Sequence, residues 1–139
     1  MKSVNSPAPM LMGQVLKEVS RVLAADGLRA SHFRLLTEIP PPGTRVTDLS
    51  ERLGMTKQAC GQFVRHLDVT GHVRVEVPAD DRRSRVVVRT PLGDRAAQMF
   101  ATRMEDIEAE WVSRVGPRRY AAFRSVLTEL ATLNARQEQ

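Results

Sequence analysis

Residues 47–89 read TDLSERLGMTKQACGQFVRHLDVTGHVRVEVPADDRRSRVVVR, and the changes of period inside this stretch decide the fold. Thr47, followed by Ser50 and Glu51, is expected to open a short helix through Leu53 whose inward face is Val46, Leu49 and Leu53. Gly54 supplies the turn, and Thr56 starts a second helix in which Cys60, Phe63, Val64 and Leu67 recur at helical spacing until Gly71 stops it. The opposite face of that second helix carries Gln58, Gln62 and Arg65.

From Val73 the period falls to two. Val73, Val75 and Val77 alternate with Arg74 and Glu76, Pro78 to Ser84 reads as a loop, and Val86-Val87-Val88 returns as the second strand of a hairpin. A helix, a turn, a second helix with an exposed polar face, and a hairpin with an arginine-rich tip are the parts of a DNA grip: a reading helix followed by a charged wing.

Working outward, residues up to Pro9 are expected to be loose. Met12, Val15, Leu16, Val19, Val22 and Leu23 then form the stripe of an amphipathic helix that stops at Asp26-Gly27. Ser31 is expected to cap the next helix, with Phe33, Leu35, Leu36 and Ile39 available for burial, before Pro40-Pro41-Pro42-Gly43 forbids continuation. Beyond the hairpin, Pro91 to Gly93 leads into a long helix with Ala96, Phe100, Met104, Ile107, Trp111 and Val115 along one side, broken at Gly116-Pro117. A last helix carries Tyr120, Phe123, Val126, Leu127, Leu130 and Leu133, and a polar tail is expected from Asn134. The fold class is therefore mainly α with a small β-hairpin wing (α+β).

The 139 residues suit one domain, or one protomer whose long helices need a partner to finish their core. A net charge of +5 suits a polyanion, and its distribution sharpens this: residues 45–93 hold nine Arg or Lys against six acids, whereas residues 94–139 hold seven against seven. Cys60 is the only cysteine, which excludes an intrachain disulfide and a thiolate cluster and fits a reducing cytoplasm. No apolar run reaches a membrane span, and no signal-peptide core opens the sequence.

A helix entering the major groove must expose polar groups from its first turns while burying its back, and Lys57, Gln58, Gln62 and Arg65 meet that requirement. Gln can bond adenine bidentately and Arg guanine. Gly61 costs about 1 kcal/mol of helix propensity, a cost that close approach to DNA would justify. Arg82, Arg83 and Arg85 crowd the wing loop, where their repulsion needs a polyanion or the nearby Asp80 and Asp81 to offset it.

Three segments make the chain resemble the multiple antibiotic resistance regulator (MarR) family of winged helix-turn-helix transcription factors: residues 46–54, residues 67–73, and Pro78-Ala79-Asp80-Asp81-Arg82-Arg83. The resemblance covers nearly the whole chain. It departs at Val75, where the family usually has an arginine, and at Arg89, where a leucine is common. It implies a single protomer over 1–139, with a winged helix-turn-helix region at 31–90 and N- and C-terminal dimerisation helices at 10–26 and 92–136. It further implies a homodimer bound to a pseudo-palindromic operator on double-stranded DNA, usually as a repressor. By position, Gln58, Gln62 and Arg65 become base readers, Thr56 and Lys57 backbone contacts, Arg83 the wing arginine beside Arg82 and Arg85, and Asp81 the residue that orients the wing through a salt bridge.

Relatives that respond to a small phenolic or anionic effector point to His32, Arg34 and Trp111 as ligand-facing candidates; the competing readings are interface core for Trp111, which sits on an apolar stripe, and simple exposure for His32. Cys60 reads as an inert buried thiol. His66 and His72 lack a third ligand at metal spacing, so neither metal nor other cofactor is expected. No phosphate loop, metal motif or nucleophile and base pair points to an enzyme. The competing functional class is a winged-helix module that binds a protein partner without reading DNA.

Overall fold

The computed structural model describes residues 5–137, with side chains described through Leu133. The elements run α1 (Ala8–Leu23), α2 (Ala30–Thr37), β1 (Thr44–Arg45), α3 (Val46–Leu53), α4 (Lys57–Val69), β2 (Val73–Glu76), β3 (Val86–Arg89), α5 (Pro91–Val115) and α6 (Pro117–Gln137). They divide into two compact units, residues 1–102 and 103–139.

The first unit is built on one core. Phe33, Leu35, Leu36 and Ile39 from α2 and its exit meet Leu49, Cys60, Val64 and Leu67 from α3 and α4, Val73 and Val87 from the sheet, and Ala96 and Ala97 from α5. The side chains of Leu36, Leu49 and Leu67 are fully buried, and burying a leucine completely contributes roughly 1.5–3 kcal/mol. The rings of Phe33 and Phe100 stack at 5.7 Å, tying the first half of α5 to α2.

Several boundaries differ from the sequence expectation, each for a local reason. Helix α1 already begins at Ala8, with Pro7 at its N-cap and Pro9 in its first turn, where a missing N–H costs nothing; residues 1–4 of the expected loose start lie outside the described residues. The helix ends at Leu23, three residues before Asp26, because Ala25 and Leu28 pair across a tight turn. Ser31 lies inside α2 rather than capping it: the helix starts at Ala30, and the His32 Nδ1 reaches back to accept the Arg29 N–H (3.0 Å). Helix α3 starts at Val46, not Thr47, since the Val46 N–H is taken by the Arg85 carbonyl (3.0 Å) and β1 runs directly into the helix. At the other end, α6 continues through Gln137 where a tail was expected.

The sheet has a strand that period-two reading missed. Its order is β1-β3-β2, with Thr44 and Arg45 opposite Val87 and Val86, and Val75 opposite Val87 on the other side. Two residues are too few to show alternation, so β1 was invisible. Val77 lies outside β2 and is exposed.

Glycine is required where α5 crosses the start of β2. A Cβ on Gly93 would overlap the His72 carbonyl oxygen. Thr90 completes this joint, donating from Oγ1 to the Gly71 carbonyl (2.6 Å) and accepting the Gly93 N–H (3.2 Å).

The second unit holds the rest of α5 and α6, separated at Gly116 (φ 89°) and Pro117. Trp111 meets Phe123 edge-on at 6.4 Å, Tyr120 donates to Glu108, and Arg124 stands 3.7 Å from the same carboxylate. Phe123, Val126, Leu130 and Leu133 remain exposed along α6.

Candidate nucleic-acid interface

Helix α4 is fixed from both ends. Gly54 takes the left-handed conformation (φ 63°) that ends α3, and the Thr56 side chain accepts the Ala59 N–H (3.1 Å) to cap α4. At the far end Gly71 (φ 82°) lets its own N–H reach the Asp68 carbonyl (3.1 Å) and the His72 N–H reach that of Leu67 (2.8 Å), a Schellman closure.

With Cys60, Val64 and Leu67 committed to the core, Lys57, Gln58, Gln62 and Arg65 are turned to solvent. None of these four side chains makes a hydrogen bond or ion pair among the described residues. Their donors and acceptors are left for an external partner. A Cβ on Gly61 would meet nothing within 4 Å, so no neighbour in the protein demands glycine there. Burial pushes the Cys60 thiol up in pKa, which keeps it protonated and poorly reactive.

The wing is braced from β1. The Asp81 carboxylate accepts the Ser84 hydroxyl (2.6 Å) and the Arg83 backbone N–H (3.1 Å), and its salt bridge is to Arg45 on β1 (3.4 Å), not to a wing arginine. Arg45 also donates to the Ser84 Oγ (2.8 Å). The Ser84 hydroxyl foremost, then the Arg83 N–H, with Arg45 adding to both, hold the Asp81 carboxyl below its ordinary pKa. Arg85 folds back onto the carbonyls of Arg82 and Ser84 (both 3.1 Å), whereas the guanidinium groups of Arg82 and Arg83 take no partner among the described residues. Three loop arginines thus separate into one that shapes the loop and two that face outward.

The two positions that depart from the resemblance are structural. Val75 is half-buried opposite Val87. Arg89 turns inward, donating to the Leu36 carbonyl (3.2 Å) and pairing with Asp94, its Nε buried 3.1 Å from Oδ1 but not aligned for a hydrogen bond.

Of the ligand candidates, His32 is buried rather than exposed, at 5%. Its ring lies 4.6 Å from that of His66 and 5.0 Å edge-on from Phe63. Arg34 is exposed on α2, and Trp111 is half-buried against Phe123 in the second unit. His72 is also buried, its Nδ1 2.7 Å from the Thr70 hydroxyl. Burial, then His66 and Arg29, lower the pKa of His32; burial also lowers that of His72, opposed by Asp26. Among the described residues no group of three or more His, Cys, Asp or Glu is placed to hold a metal ion, and no helix is long and apolar enough to cross a membrane.

The residues that sequence reasoning missed are Arg45 and Ser84, which hold the wing. No local pattern marks them, because Arg45 acts on a residue distant in sequence and Ser84 on one across a turn.

No family model matches the chain and no curated protein matches its sequence. Solved structures do. The crystal structure of MarR superposes with a TM-score of 0.80 at 17% identity, over 99% of this chain and 97% of that one. The MepR–DNA complex of S. aureus gives 0.78 at 17% identity, over 92% and 98%. The PcaV transcriptional regulator from Streptomyces coelicolor, in complex with its natural ligand, gives 0.71 at 16% identity, over 95% and 98%. The chain has the winged helix-turn-helix fold of these MarR-type regulators.

Proposed function

We propose that the chain is a sequence-specific DNA-binding transcriptional regulator, not an enzyme, acting as a homodimeric repressor on a pseudo-palindromic operator. The observation that carries this reading is the pairing of an unsatisfied polar face on α4 with a wing whose Arg82 and Arg83 guanidinium groups project without partners among the described residues. Polar groups held free on a helix whose back is locked into the core are suited to base edges. Free arginines on a braced loop are suited to phosphates.

In this reading Gln58, Gln62 and Arg65 contact bases. Lys57 and Thr56, whose hydroxyl still has its proton to donate, contact the backbone, as do Arg82 and Arg83. Arg85 and Asp81 keep the loop in shape. Release by a small aromatic or anionic ligand belongs to the same proposal, supported by the likeness to PcaV, which was solved with its ligand. A two-fold dimer would present two copies of α4 to half-sites about 34–36 Å apart.

Selection of bound duplexes from a random pool tests this directly. A palindromic consensus with half-sites one turn apart is expected; equal binding to every duplex would sink the specific reading, and no binding to any duplex would favour the protein-interaction module. Within the consensus complex, Gln62→Ala is expected to lose roughly 1–3 kcal/mol on the preferred site and little on random duplex. Arg83→Ala is expected to weaken both alike and to flatten the salt dependence. Identical behaviour of the two variants would refute this division of roles.

A further inference from the structure

Beside α4, on the flank facing the start of α2, lies an open pocket of about 290 Å³ lined by Gly27, Arg29, His32, Gln62, Phe63 and His66. Its chemistry is one-sided. Arg29 brings a guanidinium with no hydrogen bond or ion pair among the described residues. Gln62 brings an amide and His66 an imidazole likewise without hydrogen-bond partners, and no carboxylate lines the pocket. His32, more than nine-tenths buried, uses its Nδ1 to accept the Arg29 N–H, so the neutral ring carries its proton on Nε2, the nitrogen left without a partner. Donors and positive charge converge with nothing among the described residues to receive them.

The position of the pocket says what would. Gln58, Gln62 and His66 follow one another at intervals of four residues along α4, so the row that begins on the proposed base-reading face ends at this pocket. A helix lying in the major groove has a phosphate strand on each flank, and the groove is only about 12 Å wide. A side chain next to a base reader on the flank of the helix therefore meets the groove wall. We propose that this pocket seats a DNA backbone phosphate, with Arg29 as the charged anchor and the His66 and His32 side chains as further donors beside the base-reading Gln62.

The proposal rests on α4 being the reading helix, and adds to it a contact from the α1–α2 turn that fixes the depth and tilt of that helix. Gln62 keeps its base-reading role, standing beside the phosphate that Arg29 holds. The same chemistry would suit a free oxyanion, and the experiment separates the two sources.

Binding to a random duplex is measured against salt for wild type, Arg29→Gln and Arg95→Gln, the last removing an equal charge from an exposed position on α5. Wild type is expected to lose affinity log-linearly with salt, Arg29→Gln to give a log–log slope shallower by about 0.9 unit per bound protomer, and Arg95→Gln to keep the wild-type slope. Unchanged slope in Arg29→Gln, or an equal loss in both variants, overturns the phosphate seat while leaving the DNA reading intact; no duplex binding by wild type overturns both. Inorganic phosphate at fixed ionic strength is the final arm. If it raises the thermal midpoint while the Arg29→Gln slope stays at the wild-type value, the pocket belongs to a free anion and the proposal fails.

Discussion

Two imidazoles in this fold are stable only while neutral. His32 and His72 are both buried, and their pKa values lie below the ordinary 6.5 because burial penalises the charged ring. The sign follows from linkage: below about pH 6.5 the unfolded chain takes up protons at these positions before the folded chain does. Their contribution to stability is therefore complete above the ordinary imidazole range and is lost as pH falls through the lowered folded values. Urea unfolding between pH 7.5 and 5 should show stability declining with acid, and the decline should shrink in a His32→Gln, His72→Gln double variant, whatever its absolute stability. An unchanged slope in that variant would place the titration elsewhere. At this scale the sequence was informative about solvent-facing residues and poor about polar burial. Gln58, Gln62 and Arg65 could be assigned to a face from spacing alone. The burial of His32 could not, because it depends on a ring from α4 closing over a cap made within α2.

Elements are where charge geometry departs most from what sequence order suggests. Asp80, Asp81, Arg82 and Arg83 are neighbours in sequence, yet the cation that braces Asp81 comes from Arg45, thirty-six residues away on β1. The reason is that β1 pairs with β3 and delivers its last residue to the root of the wing. Both partners are substantially exposed, so this ion pair adds little to global stability. Its effect should appear in DNA binding, because an unbraced loop must be ordered on association. Arg45→Met and Asp81→Ala should each leave the thermal midpoint nearly unchanged while weakening duplex binding several-fold, and the double variant should be no worse than either single. Additive losses would show that Arg45 contacts DNA itself rather than the wing. Helix α4 and the hairpin strands were legible because their periods differ and their ends carry Thr56, Gly54 and Gly71. Strand β1 was not, since its two residues have no period and are defined only by their partner.

Each of the two units leaves large apolar side chains uncovered on a helix. On α1, Met10 and Leu16 are 63% and 61% exposed; on α6, Phe123, Val126, Leu130 and Leu133 are all open, the last 53% exposed. The α6 residues recur at intervals of three and four, the pattern of a helix seam built to meet another helix. Rows of exposed apolar side chains along a helix mark surfaces that meet a partner. A second copy of the chain is the occupant that the proposed palindromic operator would call for. Sedimentation should therefore give twice the 15.5 kDa of one chain at micromolar concentration, with a thermal midpoint that rises with protein concentration. Val126→Glu with Leu130→Glu should shift the protein to the single-chain mass. Because a dimer holds its second half-site contact at high effective concentration, the same variant should lose affinity for a full operator by roughly two orders of magnitude or more. Its affinity for an isolated half-site should change little, since residues 29–89 carry the proposed contacts and belong to the unit built on its own core. A wild-type protein sedimenting as one chain, or a variant that stays paired, would require another partner for these helices.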